Sequence, residues 1–178
     1  MAQIDDIYKN RVAKLLRGFL VAKYAKEDNI PCKIEEGLFL GSVGVACNKE
    51  LLKSLNVTHV LVVAQSLEPA HPSDFIYKKV EVLDSPDTNI EQYFSECFDY
   101  IDEAKRTGGG VLVHCFAGRS RSVTIILAYL MKKHHMSLAQ ALNFVKSKRP
   151  EISPNHGFIS QLRHFERSLA VNQDVEAV

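Results

Sequence analysis

The chain has 178 residues, of which 46% are hydrophobic and 24% are charged, and its formal net charge is +1. A chain of this length and composition can bury a core within one domain, without disulfides or metal ions. The near-neutral charge argues against a global attraction to nucleic acid or membrane surfaces. No apolar run reaches the length that a membrane-spanning helix needs.

The four cysteines are widely spaced and include no C-x-x-C pair; they are Cys32, Cys47, Cys97 and Cys115. This spacing argues against a zinc site and against a disulfide scaffold, so we expect neither a metal nor a cofactor. The first residues, MAQIDDIYKN, are polar and of mixed charge, unlike a signal peptide. We therefore expect reduced thiols in a cytoplasmic or nuclear protein.

The first predicted element is a basic amphipathic helix over residues 9–26. Its apolar residues recur mostly at three- and four-residue steps, and its polar side is entirely basic. Pro31 interrupts the pattern soon afterwards. We assign residues 1–28 to an N-terminal helical extension, residues 29–171 to the main domain and residues 172–178 to a flexible tail.

This helix has three interpretations, which the sequence leaves open. The helix can pack on the main domain with its lysines in solvent, or bind calmodulin, whose targets are basic helices with bulky apolar anchors. Association with a membrane surface is the least expected of the three. Gly18 in mid-helix weakens all of them. The candidate calmodulin-contacting residues are Lys14, Leu16, Arg17, Phe19 and Leu20.

Strand and helix patterns alternate through the main domain. Strands are predicted at 38–42, 57–64, 75–83 and 111–114, and helices at 48–55, 89–106, 120–134, 137–148 and 155–170. This alternation predicts one α/β domain with a central, mostly parallel sheet of about five strands, flanked by helices. In such sheets ligands bind beyond the carboxyl ends of the strands. The loop that follows the strand at 111–114 lies at such an end.

That loop combines a cysteine with features that favour an anion. Cys115 ends the strand, and the unpaired N–H groups and dipole of the following helix attract negative charge. Gly118 lets the backbone curl inward so that successive N–H groups converge. Arg121 adds a planar fork for two phosphate oxygens. The candidate phosphate-binding residues are Phe116, Ala117, Gly118, Arg119, Ser120 and Arg121.

The same positive environment acts on the thiol of Cys115. A cysteine near a helix N-terminus and an arginine loses its proton more readily, and the thiolate is the reactive form. One loop thus offers a nucleophile and a binding site for a dianion, which suits attack of sulfur on phosphorus. The alternative is a buried, inert thiol. The position between strand and helix, together with the neighbouring His, Gly and Arg, disfavours that alternative.

The stretch HCFAGRSRS resembles the His-Cys-x5-Arg-Ser/Thr signature of the cysteine-based protein phosphatases. Its Ala-Gly-x-Ser-Arg-Ser form is similar to the dual-specificity branch, in particular to small, atypical, plant-type members. GLFLGS and SPNHGFISQLRHFE resemble further segments of that family. The resemblance implies hydrolysis of phosphotyrosine and phosphoserine or phosphothreonine in proteins through a cysteinyl-phosphate, with MAP kinases as candidate substrates.

The resemblance also implies the remaining roles at the site. Asp84 matches the family's general acid, which protonates the leaving oxygen and later activates water; Asp87 is the alternative. Ser122 would stabilise the leaving thiolate, although it could instead cap the helix. His114 would fix the loop by hydrogen bonding without acting as a base. Asn155 either braces the loop or caps the last helix.

Two further functions remain open at this point. Arg119 faces either substrate or solvent, and the loop contains no lysine, so a phosphoinositide substrate is an alternative rather than the expectation. A phosphopeptide- or calmodulin-binding module with weak or no catalysis is the second alternative. Neither needs a metal, and both use the same loop or the N-terminal helix.

Overall fold

A computed structural model describes residues 2–176, with side chains described for residues 6, 7 and 9–171. Its sheet has five strands in the order β1-β2-β5-β3-β4. The strands β2, β5, β3 and β4 run parallel, and β1 pairs with β2 antiparallel at one edge. The strands are β1 (Cys32–Glu35), β2 (Leu38–Gly41), β3 (Val57–Val63), β4 (Ile76–Val80) and β5 (Gly110–His114). The predicted α/β class with a mostly parallel sheet is confirmed.

Helices cover both faces of this sheet. They are α1 (Ala2–Glu27), α2 (Val43–Cys47), α3 (Lys49–Ser54), α4 (Phe94–Arg106), α5 (Arg121–His134), α6 (Leu138–Lys148) and α7 (His156–Glu176), with a 3₁₀ turn at Glu91–Tyr93 before α4. The prediction missed β1 and α2, which are only four and five residues long. Helix α7 continues to Glu176, so residues 172–176 of the predicted tail are helical; residues 177 and 178 lie outside the described residues.

The central strand β5 is buried over its whole length. Its side chains alternate between two hydrophobic clusters: Val111 and Val113 lie in the larger one, and Leu112 in the other. This period of two follows from the pleat of a strand, and burial on both faces explains the continuous apolar run VLV. The end of β5, and with it the start of the loop at Cys115, is therefore fixed by packing from both sides.

Helix α1 differs from the other helices because, among its described side chains, apolar packing on the domain is confined to the C-terminal turns, at Val21 and Tyr24. In mid-helix, the Arg17 Nη1 donates to the Ser66 carbonyl oxygen at 2.7 Å. A Cβ added at Gly44 of α2 would lie 2.2 Å from the Tyr24 carbonyl oxygen, so the two helices approach closely there. Further towards the N-terminus, Leu15 and Phe19 are 65% and 75% exposed. The interpretation of α1 as a packed helix is therefore right only for its last turns. Within residues 2–176, no helix is both long and apolar enough to cross a membrane.

The last residue of β5, His114, is a buried polar group. It is 3% exposed, and its Nδ1 lies 3.1 Å from the Cys115 carbonyl oxygen, which identifies Nδ1 as the protonated nitrogen of a neutral ring. Burial lowers the pKa of His114 from 6.5 to about 4, although the bond to Cys115 opposes the change. The ring is therefore uncharged near neutral pH and serves as a hydrogen-bond donor.

This burial predicts a specific loss of stability in acid. The unfolded chain takes up the His114 proton near pH 6.5, whereas the folded chain resists it until about pH 4. The contribution of neutral His114 to the free energy of unfolding is thus fully present above pH 6.5. It is lost as the pH falls, by about 2 kcal/mol between pH 7 and pH 5. Urea unfolding should show this loss in the wild type and a correspondingly smaller loss in His114→Asn. If the wild type and His114→Asn lost stability equally as the pH falls, the assignment of the lowered pKa to His114 would be wrong.

Candidate active site

The loop between β5 and α5 is held by its backbone carbonyl groups. The carbonyl oxygens of the six residues 115–120 each accept a hydrogen bond from outside the turn. In chain order the donors are the His114 ring, the Val43 amide, the Arg149 guanidinium twice, the Ser153 amide and Thr124. Because they belong to separate parts of the fold, the loop is fixed from several directions at once.

Turning the carbonyls outward directs the amide groups inward. A trans peptide unit is planar, and its N–H points opposite to the carbonyl of the preceding residue. The N–H groups of residues 116–121 are therefore directed into the loop. The Gly118 N–H follows this rule, since it donates to the Cys115 Sγ over 3.2 Å. Convergent N–H groups of this kind form binding sites for anions.

Two donors converge on the sulfur of Cys115. The side chain is 1% exposed, and its Sγ accepts hydrogen bonds from the Gly118 N–H and the Ser122 hydroxyl, both at 3.2 Å. Hydrogen bonds to a charged acceptor are stronger than those to a neutral one, so both contacts favour a thiolate. The Ser122 hydroxyl is therefore used on the sulfur and does not cap the helix.

Gly118 allows the loop to pack against the end of β2. Its φ of +64° lies in the left-handed region that favours glycine. A Cβ at this position would lie 2.6 Å from the Gly41 carbonyl oxygen. Any side chain here would push the loop away from the sheet and displace the amide that contacts the sulfur.

Arg121, the first residue of α5, contributes a partly buried guanidinium. Its Nη1 donates to the Val82 carbonyl oxygen at 3.3 Å, and its Nε lies 3.8 Å from the Asp84 Oδ2. This Nε is buried without a hydrogen-bond partner among the described residues. The Nε is thus a buried donor whose hydrogen bond is available to an added acceptor such as a phosphate oxygen.

Asp84 is brought to the same loop by two further side chains. Its Oδ1 accepts hydrogen bonds from the Ser120 hydroxyl at 2.7 Å and from the Asn155 Nδ2 at 2.9 Å. The Asn155 Oδ1 meanwhile accepts from the Phe158 N–H in the first turn of α7. Asn155 therefore makes the contact of a helix cap and also contacts the site. Its side chain bonds to Asp84, and its N–H donates to the Ser120 hydroxyl.

The remaining sequence candidates lie at the rim or on α1. Asp87 is exposed on the turn after Asp84. The guanidinium of Arg119 is exposed, with its Nε bonded to the Glu151 carbonyl oxygen at 2.9 Å. Along α1, Lys14, Leu16, Arg17, Phe19 and Leu20 are all exposed.

Sequence reasoning missed two residues that support the loop. Arg149, only 5% exposed, follows α6 and donates to the Ala117 and Gly118 carbonyl oxygens. The carboxylate of Asp28, just after α1, accepts hydrogen bonds from both terminal nitrogens of that guanidinium. Asp28 belongs to no motif, and Arg149 lies at the end of AYLMKKHHMSLAQALNFVKSKRP, a stretch that resembles helices of the cysteine-based phosphatases but that gave Arg149 no role. The only signal was an arginine beside a proline at the end of an otherwise ordinary helix.

Comparison with known proteins gives one consistent result. Residues 38–168 match the model of the dual specificity phosphatase catalytic domain. Dual specificity protein phosphatase 1 of Arabidopsis thaliana is 63% identical over 168 residues, covering 94% of this chain and 85% of its own length. Dual specificity protein phosphatase 19 of Mus musculus is 47% identical over 133 residues, covering 75% of this chain and 60% of its own.

The solved structures agree with the sequence matches. The crystal structure of human DUSP28 superposes with a TM-score of 0.75 at 34% identity, covering 79% of this chain and 95% of that one. The residues 38–168 of the family match include the cysteine loop, the strands β2 and β3 beside β5, and helix α5. The fold, the residues of the cysteine loop and the match to the catalytic-domain model all agree. The chain therefore belongs to the dual specificity phosphatase family.

Proposed function

We propose that the protein hydrolyses phosphotyrosine and phosphoserine or phosphothreonine esters in proteins, with Cys115 as the nucleophile. The observation that carries the proposal is the pairing of a sulfur that accepts two hydrogen bonds with a buried Arg121 Nε that has no hydrogen-bond partner among the described residues. A phosphate bound over the sulfur would supply the missing acceptor, and the inward amides would hold its other oxygens.

In the first step the Cys115 sulfur attacks phosphorus, and the phosphorus–oxygen bond of the ester breaks. The leaving oxygen takes a proton from Asp84. Because the Oδ1 already accepts from Ser120 and Asn155, we assign the proton to the Oδ2, which lies on the Arg121 side. The geometry thus gives the two oxygens different tasks: one anchors the side chain, and the other transfers the proton.

In the second step water attacks the phosphorus of the cysteinyl-phosphate. Asp84, now a carboxylate, removes a proton from that water, and inorganic phosphate forms as the phosphorus–sulfur bond breaks. The sulfur leaves as a thiolate. The Ser122 hydroxyl, 3.2 Å from the Sγ, is the donor that stabilises this leaving group.

For the substrate we propose phosphorylated proteins, with MAP kinases as the class to test first, in the cytoplasm or nucleus. One relative, 43% identical over 142 residues, is named MAP kinase phosphatase with leucine-rich repeats protein 3 of Dictyostelium discoideum, and this chain spans 16% of it. Against a phosphoinositide substrate stands the loop from Phe116 to Ser120, which contains no lysine to hold further phosphate groups.

The central test replaces the nucleophile. Cys115→Ser should abolish turnover of an aryl phosphate, because a serine hydroxyl in the same position is not ionised, yet it should still bind a doubly phosphorylated MAP-kinase peptide. Steady-state kinetics and peptide titration measure the two effects. Turnover by Cys115→Ser at the wild-type rate would refute the mechanism, and an inactive wild type that binds the peptide would favour the binding-module alternative.

The assignment of the acid predicts a dependence on the leaving group. Asp84→Asn keeps the anchoring contacts but cannot donate a proton, so kcat on phosphotyrosine peptide should fall by about 10²-fold or more. The loss should be smaller on p-nitrophenyl phosphate, whose leaving oxygen needs less protonation. Asp87→Asn is the matched control and should leave both rates unchanged. A large loss in Asp87→Asn alone would transfer the role to Asp87.

For α1 we propose a second function, binding to calcium-loaded calmodulin. Val12, Leu15, Leu16 and Phe19 are spaced as one helical stripe, and 36–75% of each is exposed. Lys14 and Arg17 flank the stripe with positive charge, which is complementary to an acidic partner. An apolar stripe with basic flanks is what a groove-binding helix presents.

This proposal predicts calcium-dependent binding that depends on the stripe. Leu16→Ala combined with Phe19→Ala should weaken binding to calcium-loaded calmodulin by at least tenfold in a fluorescence titration. When calcium is chelated, neither the wild type nor the double variant should bind calmodulin. The control pair is Ile30→Ala with Val171→Ala, which removes exposed apolar side chains outside α1. Equal affinities for the two double variants would exclude the stripe as the binding site.

A further inference from the structure

An ion pair between Asp28 and Arg149 links the end of α1 to the phosphate-binding loop, because Arg149 also bonds to the loop backbone. Asp28 follows the last residue of α1, and its Oδ2 and Oδ1 accept from the two terminal nitrogens of Arg149 at 2.7 and 3.2 Å. The fork-to-fork geometry is the strong form of an arginine–carboxylate contact. Arg149 is 5% exposed, whereas the Asp28 side chain is 23% exposed, so the arginine side of the pair is shielded from water and only partly screened by salt.

The same guanidinium holds a third of the outward-facing carbonyls of the loop. The Arg149 Nε donates to the Gly118 carbonyl oxygen at 2.8 Å, and one Nη donates to the Ala117 carbonyl oxygen at 3.1 Å. Through peptide planarity these two contacts orient the N–H groups of Gly118 and Arg119. The first of those N–H groups is the one that reaches the Cys115 Sγ.

Asp28 is itself fixed by its surroundings. Its backbone carbonyl accepts from the Ser42 hydroxyl at 3.0 Å, and its N–H donates to the Tyr24 carbonyl oxygen at 2.8 Å. One turn back, the Tyr24 ring meets the ring of Phe116 edge-on with centroids 5.5 Å apart. The end of α1 therefore touches the loop through the Tyr24–Phe116 contact and is joined to it through Asp28 and Arg149. Tyr24, Asp28 and Arg149 border a groove of about 410 Å³.

The charge of Asp28 matters because the arginine is buried. Burial, the largest single effect, raises the pKa of Asp28, but the hydrogen bonds from Arg149 and Ser42 and the charge of Arg149 together outweigh it, and the pKa is lowered from its usual 3.8. The carboxylate is thus ionised throughout the neutral range. Removing one partner of a buried ion pair leaves an uncompensated charge, which disturbs whatever else that charge contacts. Besides Asp28, Arg149 contacts the two loop carbonyls and Glu151, whose Oε1 lies 3.4 Å from the Arg149 Nη1. Without the Asp28 charge the guanidinium would shift towards Glu151, and its bonds to the loop carbonyls would shift with it.

We propose that Asp28 and Arg149 are positioning residues for the phosphate-binding loop, so that α1 is part of the catalytic unit. Neither side chain touches the phosphate; both act through the peptide units that follow Ala117 and Gly118. The inference rests on the proposed phosphatase function, since its readout is binding and turnover at the same loop. It also extends that function beyond residues 38–168, because Asp28 lies outside the matched domain.

Two single substitutions and one control test the pair in the full-length protein. Asp28→Asn keeps the shape but removes the charge, and Arg149→Lys keeps the charge but removes the fork. Each should lower kcat/KM on p-nitrophenyl phosphate about tenfold and raise the inhibition constant of inorganic phosphate by a similar factor, while thermal unfolding remains a single cooperative transition. Glu27→Gln, on the adjacent exposed residue, should change neither quantity.

The double variant distinguishes a coupled pair from two independent residues. If Asp28 acts through Arg149, Asp28→Asn with Arg149→Lys should be no worse than Arg149→Lys alone, whereas independent effects would multiply to about a hundredfold loss. Should Asp28→Asn fail to fold, Asp28→Glu replaces it, and the longer side chain should still weaken phosphate inhibition.

The outcomes separate this inference from the function on which it rests. A wild type without turnover of any aryl phosphate or phosphopeptide would refute the proposed function. An active wild type, together with an Asp28 variant that matches it in both kcat/KM and phosphate inhibition, would overturn the positioning role alone. Multiplicative losses in the double variant would also overturn the coupling.

Discussion

The outward fixation of the loop carbonyls is the constraint on which the site depends. In a loop without these contacts, the peptide groups would rotate to form hydrogen bonds with water. The amide N–H groups would then not converge on one binding site. Here the fold supplies a separate donor for every carbonyl from residue 115 to residue 120, so the inward amides are arranged before any substrate arrives. Pre-organised dipoles need no reorganisation during the reaction, which is why such sites accelerate it.

The same constraint links the carboxylate of Asp84 to the sulfur of Cys115. Ser120 uses its carbonyl to accept from Thr124 at the start of α5 and its hydroxyl to donate to Asp84. One loop residue therefore belongs to the backbone framework around the sulfur and also holds the carboxylate that we propose as the acid. Asn155 completes the link by joining Asp84 to α7. Movement of the loop would displace the proposed nucleophile and the proposed acid together.

Sequence patterns predicted the parts of this arrangement that are local. Alternating strands and helices predicted the parallel sheet, and HCFAGRSRS predicted the nucleophile loop with its glycine and arginine. The edge strand β1 and helix α2 were missed because elements of four and five residues show no measurable period. Arg149 and Asp28 were missed for a different reason: their contact joins residues 121 positions apart, and periodicity carries no information about such pairing.

Helix α1 places two kinds of surface on one rigid element. The stripe that ends near Phe19 faces solvent, whereas the end at Glu27 leads directly into Asp28 and the loop. The rise of an α-helix puts roughly 12 Å between those two positions. A partner bound on the stripe would therefore lie close to the site, because Leu20, the residue after the stripe, borders a groove that Ala117 and Arg119 of the loop also line. Such a partner would alter catalysis where its binding changed the Tyr24–Phe116 contact or the Asp28–Arg149 pair.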